Sequence, residues 1–144
     1  MPRVSFRGPT GEPIQDPSAD YLCNLITAPP EGFWARGSGD AEIEVECSED
    51  QKLSLLILHH EALGFYLKFL KAEGRRIVDT RSSLSDRARL TEVVTCSDEW
   101  MASAGLFLRP NAAADAVAEF ASSGGLSEDV TWICPEEIPD GGNW

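Results

Sequence analysis

Hydrophobic and polar positions alternate strictly from Ala41 to Cys47. Ile43, Val45 and Cys47 fall on one side, and Glu42, Glu44 and Glu46 on the other. A period of two predicts a strand with one buried and one wet face. The run Leu53 to Leu58 is continuously apolar, which suits a central strand covered on both faces. Phe65 to Leu70, Arg76 to Thr80, Leu90 to Cys96 and Val130 to Cys134 read as further strands, with His59-His60-Glu61 and the segment to Gly64, and the segment Lys71 to Gly74, as turns. Two stretches have helical spacing instead. After Ser18, a residue suited to an N-cap, Tyr21, Leu22, Leu25 and Ile26 share one face, and Pro29-Pro30 ends the helix. After Pro110, which loses no hydrogen bond in a first helical turn, Ala113, Ala116, Val117, Phe120 and Ala121 form one stripe that stops at Gly124-Gly125. The order predicts an α+β fold, an antiparallel meander sheet packed against two helices.

Prolines and glycines from 2 to 17 predict an irregular lead-in, and Pro135 to Trp144 reads as an acidic tail. The single domain is thus expected at 18–134. A chain of 144 residues is long enough to bury a full core without a metal or disulfide. The hydrophobic share of 42% and charged share of 25% belong to an ordinary globular protein.

The charge changes the picture. Twenty-four acids against twelve bases give −12, a field that repels nucleic-acid backbones and anionic membranes and attracts basic partners. No apolar stretch reaches the length of a membrane span, and Pro and Gly interrupt the N-terminus before a signal sequence could form. Cys23, Cys47, Cys96 and Cys134 contain no C-x-x-C pair, so reduced thiols and a cytoplasmic location are expected.

Candidate chemistry is sparse. His59 and His60 are neighbours on an extended segment, so their rings point apart and do not readily share a metal. A cysteine nucleophile beside a histidine base would need Cys47 or Cys96, and nothing in the spacing implies it. Catalytic, metal and cofactor sites are therefore expected to be absent. The acidic row Glu42, Glu44 and Glu46, extended by Glu49 and Asp50, is more informative. Like charges on one strand face repel. Two explanations stand level: protection of an edge strand, or a contact surface for a basic partner. Trp34 lies in a glycine-rich loop, as a core anchor or a contact residue, and Trp100 joins it as a contact candidate.

The stretch GLFLRPNAAADAVAEFASSG at 105–124, followed by Val130-Thr131-Trp132, resembles the first numbered family of bacterial immunity proteins. Ala116, Phe120, Gly124 and Trp132 fit that family's Pro-led helix, turn and closing strand, and the segments at 64–67 and 73–74 fit its meander. The turn at Gly124-Gly125-Leu126 lacks the basic and Pro residues often found there, and the first forty residues and the tail do not match. The resemblance implies an inhibitor that binds a cognate toxin, often a nucleic-acid deaminase, and covers its active site. The expected contact residues are Glu42, Glu44, Glu46, Glu49, Asp50, Trp34 and Trp100, facing a basic toxin surface, with no nucleic acid or membrane bound. The rival readings are a small Cys/His-dependent enzyme and an acidic adaptor.

Overall fold

A computed structural model describes residues 2–144. The strands are β1 (Arg3–Arg7), β2 (Pro13–Gln15), β3 (Asp40–Glu46), β4 (Gln51–His60), β5 (Gly64–Glu73), β6 (Arg76–Leu84), β7 (Val93–Thr95), β8 (Met101–Ser103), β9 (Phe107–Leu108) and β10 (Thr131–Ile133). The helices are α1 (Ala19–Thr27) and α2 (Pro110–Ser123). This is the α+β architecture that the periodicities predict. The main sheet runs β10-β6-β5-β4-β3-β1-β2, and β9 takes the edge of β5 that β6 leaves open. Strands β7 and β8 form a separate hairpin.

One face of the sheet carries the helices. Ala41, Ile43, Val45, Leu55, Ile57, Phe65, Leu67 and Phe69 pack there against Leu22, Leu25 and Ile26 of α1 and Ala113, Ala116, Val117 and Phe120 of α2. The alanines of α2 have little bulk, so α1 comes close enough for the Cys23 thiol to reach the Ala114 carbonyl, 3.6 Å away. Ser18 caps α1 by accepting from the Tyr21 amide at 3.1 Å. Gly124 ends α2 in the left-handed region, φ 73°.

The other face is covered at one end only. There Tyr66, Leu84, Leu90, Cys96, Ala102, Leu106, Phe107 and Ile133 make a second core beneath the β7–β8 hairpin. Buried serines stitch it together: Tyr66 shares a hydrogen bond with Ser82 at 2.8 Å, and Ser83 donates to the Leu106 carbonyl at 2.8 Å. The hairpin lies against the start of β3 at Gly39, φ 75°, where a Cβ would stand 2.7 Å from the Ser97 carbonyl oxygen. Only glycine allows that approach.

Several expectations need correction. The segment 1–17 is no irregular lead-in over its described residues: β1 pairs with β3 from Arg3–Glu46 to Arg7–Glu42, and β2 closes the edge. Phe6 of β1 is 2% exposed and belongs to the core. The prolines that suggested an irregular segment border these strands or stand in the outermost one, where a missing N–H is tolerated. The turn expected at Lys71 to Gly74 is shorter, because Lys71, Ala72 and Glu73 still pair within the β5–β6 hairpin. His59 and His60 belong to β4 rather than to the turn after it. The strand expected from Leu90 to Cys96 shrinks to Val93–Thr95. The segment 135–144 folds back onto the domain. The Ser103 amide donates to the Asn143 carbonyl at 2.7 Å, and the Asn143 amide donates to the Ser103 hydroxyl at 2.8 Å.

Candidate protein-binding site

The half of the sheet face that the hairpin leaves open carries the acidic row. Register puts Asp40, Glu42, Glu44 and Glu46 of β3 on this face, opposite Leu58, Leu56, Ser54 and Lys52 of β4 and beside Arg7, Ser5 and Arg3 of β1. The row is not on an edge strand, because β1 and β2 lie outside β3. Protection of an edge therefore does not explain it. Nor are the charges left to repel one another. Arg3 pairs with Glu46 at 3.1 Å, Lys52 with Glu44 at 3.5 Å and Arg7 with Asp40 at 3.4 Å. Cross-strand pairs this exposed contribute at most about 1 kcal/mol each, yet they remove the penalty that the bare row implied. Glu42 has no ion pair within this set, and its partial burial pushes its carboxyl above the usual range.

At the Asp40 end the face deepens into a cavity of about 250 Å³. Leu56, Leu58 and Tyr66 wall it from the sheet, and Trp100 and Met101 from the hairpin. Its polar groups are Asp40, Asp98 and Lys68. Asp98 occupies the hairpin turn. Its Oδ1 accepts from the Trp100 amide at 3.0 Å, while its Oδ2 is buried without a hydrogen-bond partner. Burial, with Asp40 close by as a second acid, raises the Asp98 carboxyl above the usual carboxylate range. Asp40 itself is satisfied by Ser38, whose hydroxyl donates at 2.7 Å, and by Arg7. Lys68 lies with its ammonium over the Trp144 ring, 3.7 Å from the centroid, and burial lowers its pKa.

Trp100 is 69% exposed, the most exposed large hydrophobic residue described. The turn that displays it is held by the Cys96 amide, which donates to the Trp100 carbonyl at 2.7 Å, and it sets Glu99 at φ 71°. Met101 beside it is 50% exposed. A neighbouring Trp and Met at the lip of an acidic cavity form a surface suited to a partner, since aromatic and Met side chains concentrate at contact surfaces.

Trp34 has no part in this surface. It is 4% exposed, its indole donates to the Leu25 carbonyl at 3.0 Å, and it stacks on His59. The glycines around Phe33 and Trp34 mark a bend that tucks the indole under α1, so its expected contact role is withdrawn. Glu49 and Asp50 lie in the β3–β4 turn at the opposite end of the face, about 20 Å along the strand from Asp40 at ~3.3 Å per residue. The acidic set is thus a stripe along the sheet, with Trp100 at one end only. Asp40 and Lys68 were missed from sequence. Asp40 continues the alternation of Glu42, Glu44 and Glu46 by one step, a signal that was there to find. Asp98 carries none, because its place depends on how the hairpin folds back.

Of the histidines, His59 faces Trp34 and Phe65 on the helix side, and His60 faces Phe107 on the other, so the two rings do lie on opposite faces. Among the described residues no cluster of three His, Cys, Asp or Glu could hold a metal. Cys96 and His60 border one open hollow. Cys96 is 4% exposed, however, and burial pushes its thiol up to about 12, so it is protonated at neutral pH. Ser97 meets the His59 Nδ1 at 2.7 Å, a contact that fastens the hairpin to β4 along with the Ser97 amide, which donates to the His59 carbonyl at 2.8 Å. No carboxylate hydrogen-bonds to His59 among the described residues, so the third member of a hydrolytic triad is missing.

No helix among the described residues is long and apolar enough to cross a membrane. No protein-family model, curated protein or solved structure matches the chain.

Proposed function

We propose that this chain is a binding protein of the immunity class, acting in the cytoplasm without catalysis. Its partner is a toxin domain with a basic substrate cleft, a nucleic-acid deaminase or nuclease, and inhibition follows from covering that cleft. The observation that carries the reading is Trp100, 69% exposed at the lip of a carboxylate-bearing cavity. A large apolar side chain left in water at the end of an acidic stripe has the composition of an interface centre with a charged surround. The net charge of −12 supports it, since such a field draws in a basic protein and repels the phosphate backbone that the same protein would bind. The resemblance of 105–132 to immunity proteins points to the same class.

Co-expression with the product of the adjacent open reading frame tests it. The expected result is protection of cells from that product and a stable complex that co-elutes on gel filtration. Co-expression that neither protects nor yields a complex would overturn the reading.

A further inference from the structure

The cavity beneath Trp100 already contains one example of how it could be filled. Lys68, rising from β5, lays its ammonium on the Trp144 ring at 3.7 Å. Cation and aromatic face are thus paired on one wall. The other wall has an aromatic face and an acid but no cation. The Trp100 ring carries neither a cation nor another ring among the described residues, and it is 69% exposed. Below it Asp98 keeps a buried Oδ2 with no hydrogen-bond partner. Asp40 is balanced by Arg7, but no described ion pair reaches Asp98.

We propose that this half of the cavity seats an arginine side chain of a partner protein, stacked on the Trp100 indole and hydrogen-bonded to Asp98. Resting on the binding role proposed above, it names the chemistry of the partner's anchor. Three features select arginine. The guanidinium is planar, so it lies flat on an indole, whereas an ammonium is a point charge. It donates in several directions at once, which lets it meet the Asp98 carboxylate while staying close to Asp40. The volume of about 250 Å³ is below the roughly 300–1,000 Å³ of pockets for drug-sized molecules, so a single long side chain fits the space better. The apolar stem of the arginine would pass between Met101 and Leu56, replacing water there.

The test needs no toxin. Blocked arginine, N-acetyl-arginine methylamide, is titrated into the full chain while NMR follows the Trp100 indole N–H. Blocked citrulline, which has the same shape without the charge, serves as the control. Saturable shifts at Trp100 with arginine and not with citrulline are expected. Asp98→Asn should weaken the arginine response about tenfold, the loss expected for one charge-assisted hydrogen bond; Asn keeps the acceptor that caps the Trp100 amide, so the turn is preserved. Trp100→Ala, at an exposed position, supplies a second variant that folds, and its arginine response is followed at the Met101 methyl on the same cavity wall. Equal responses to arginine and citrulline, shifts centred elsewhere, or full binding by both variants would overturn the proposal. The two readings fail separately. A toxin that binds Asp98→Asn and Trp100→Ala as tightly as the parent removes the arginine anchor and leaves the inhibitor role intact. Specific arginine binding with no toxin captured removes the inhibitor role and leaves the site.

Discussion

His59 lies flat on Trp34, with ring centroids 5.6 Å apart and planes 17° from parallel. The stack joins the end of β4 to the loop after α1, and burial against it lowers the histidine pKa below its ordinary value of 6.5. The folded state therefore disfavours the imidazolium, and the unfolded chain binds the proton more readily. Stability from this site is complete above the unfolded pKa of 6.5 and is lost as the pH falls toward the lower folded value. Urea melts between pH 7.5 and 5 should show stability dropping with acid. In His59→Gln the drop across that window should become smaller. An identical slope in both proteins would show that His59 is not the group responsible.

Asp98 has the opposite sign. Burial holds its folded pKa above the ordinary aspartate range, so the folded state favours the protonated acid. Its contribution is present at pH values below the unfolded pKa and is lost as the pH rises through the folded one. At neutral pH the buried carboxylate is a liability. Asp98→Asn is expected to raise the melting temperature at pH 7, with the gain disappearing in acid. A variant less stable than the parent at pH 7 would contradict this.

Phe120 is 1% exposed and meets Phe69 edge-on at 6.1 Å between centroids. Truncating a buried aromatic removes its contacts and leaves a void, at a cost of about 3–5 kcal/mol. Phe120→Ala should lose stability on that scale in denaturant melts. Trp34→Ala should behave alike, since its indole is buried and hydrogen-bonded to Leu25. Trp100→Ala, by contrast, is expected to stay within about 0.5 kcal/mol of the parent. If Trp34→Ala melts like the parent, the core assignment of that residue fails.

The acidic stripe should act on encounter rather than on lifetime. Reversing Glu42, Glu44 and Glu46 to Lys is expected to slow association with the captured partner and to flatten its dependence on salt, because exposed charges steer at long range and are screened by ions. Two of these glutamates have basic cross-strand partners, so the variant should also lose a little stability. Surface binding at two ionic strengths, with both rate constants measured, checks this. An association rate equal to the parent's would exclude the stripe from the interface.

The sequence alone carried the fold class and most of the element types. Local signals suffice for that: strict alternation at 41–46 demands a strand with two unlike faces, and the Pro110-to-Gly124 segment holds both a helix stripe and its two stop signals. The opposed faces of His59 and His60 were legible for the same reason, since neighbouring strand residues always point apart. What tertiary structure decided was everything that depends on which segment lies beside which. Arg3 and Arg7 neutralise the acidic row because β1 pairs with β3, and nothing local in a proline-rich stretch announces a partner some forty residues away. Trp34 is buried because its loop folds beneath α1, while Trp100 stays in water because a hairpin turn lifts it clear; in sequence, both are tryptophans among small and polar residues. Asp40, Asp98 and Lys68 come from three separate parts of the chain. They meet only because Gly39 admits the backbone of the β7–β8 turn, so the charge of the cavity is a property of packing and not of any one segment.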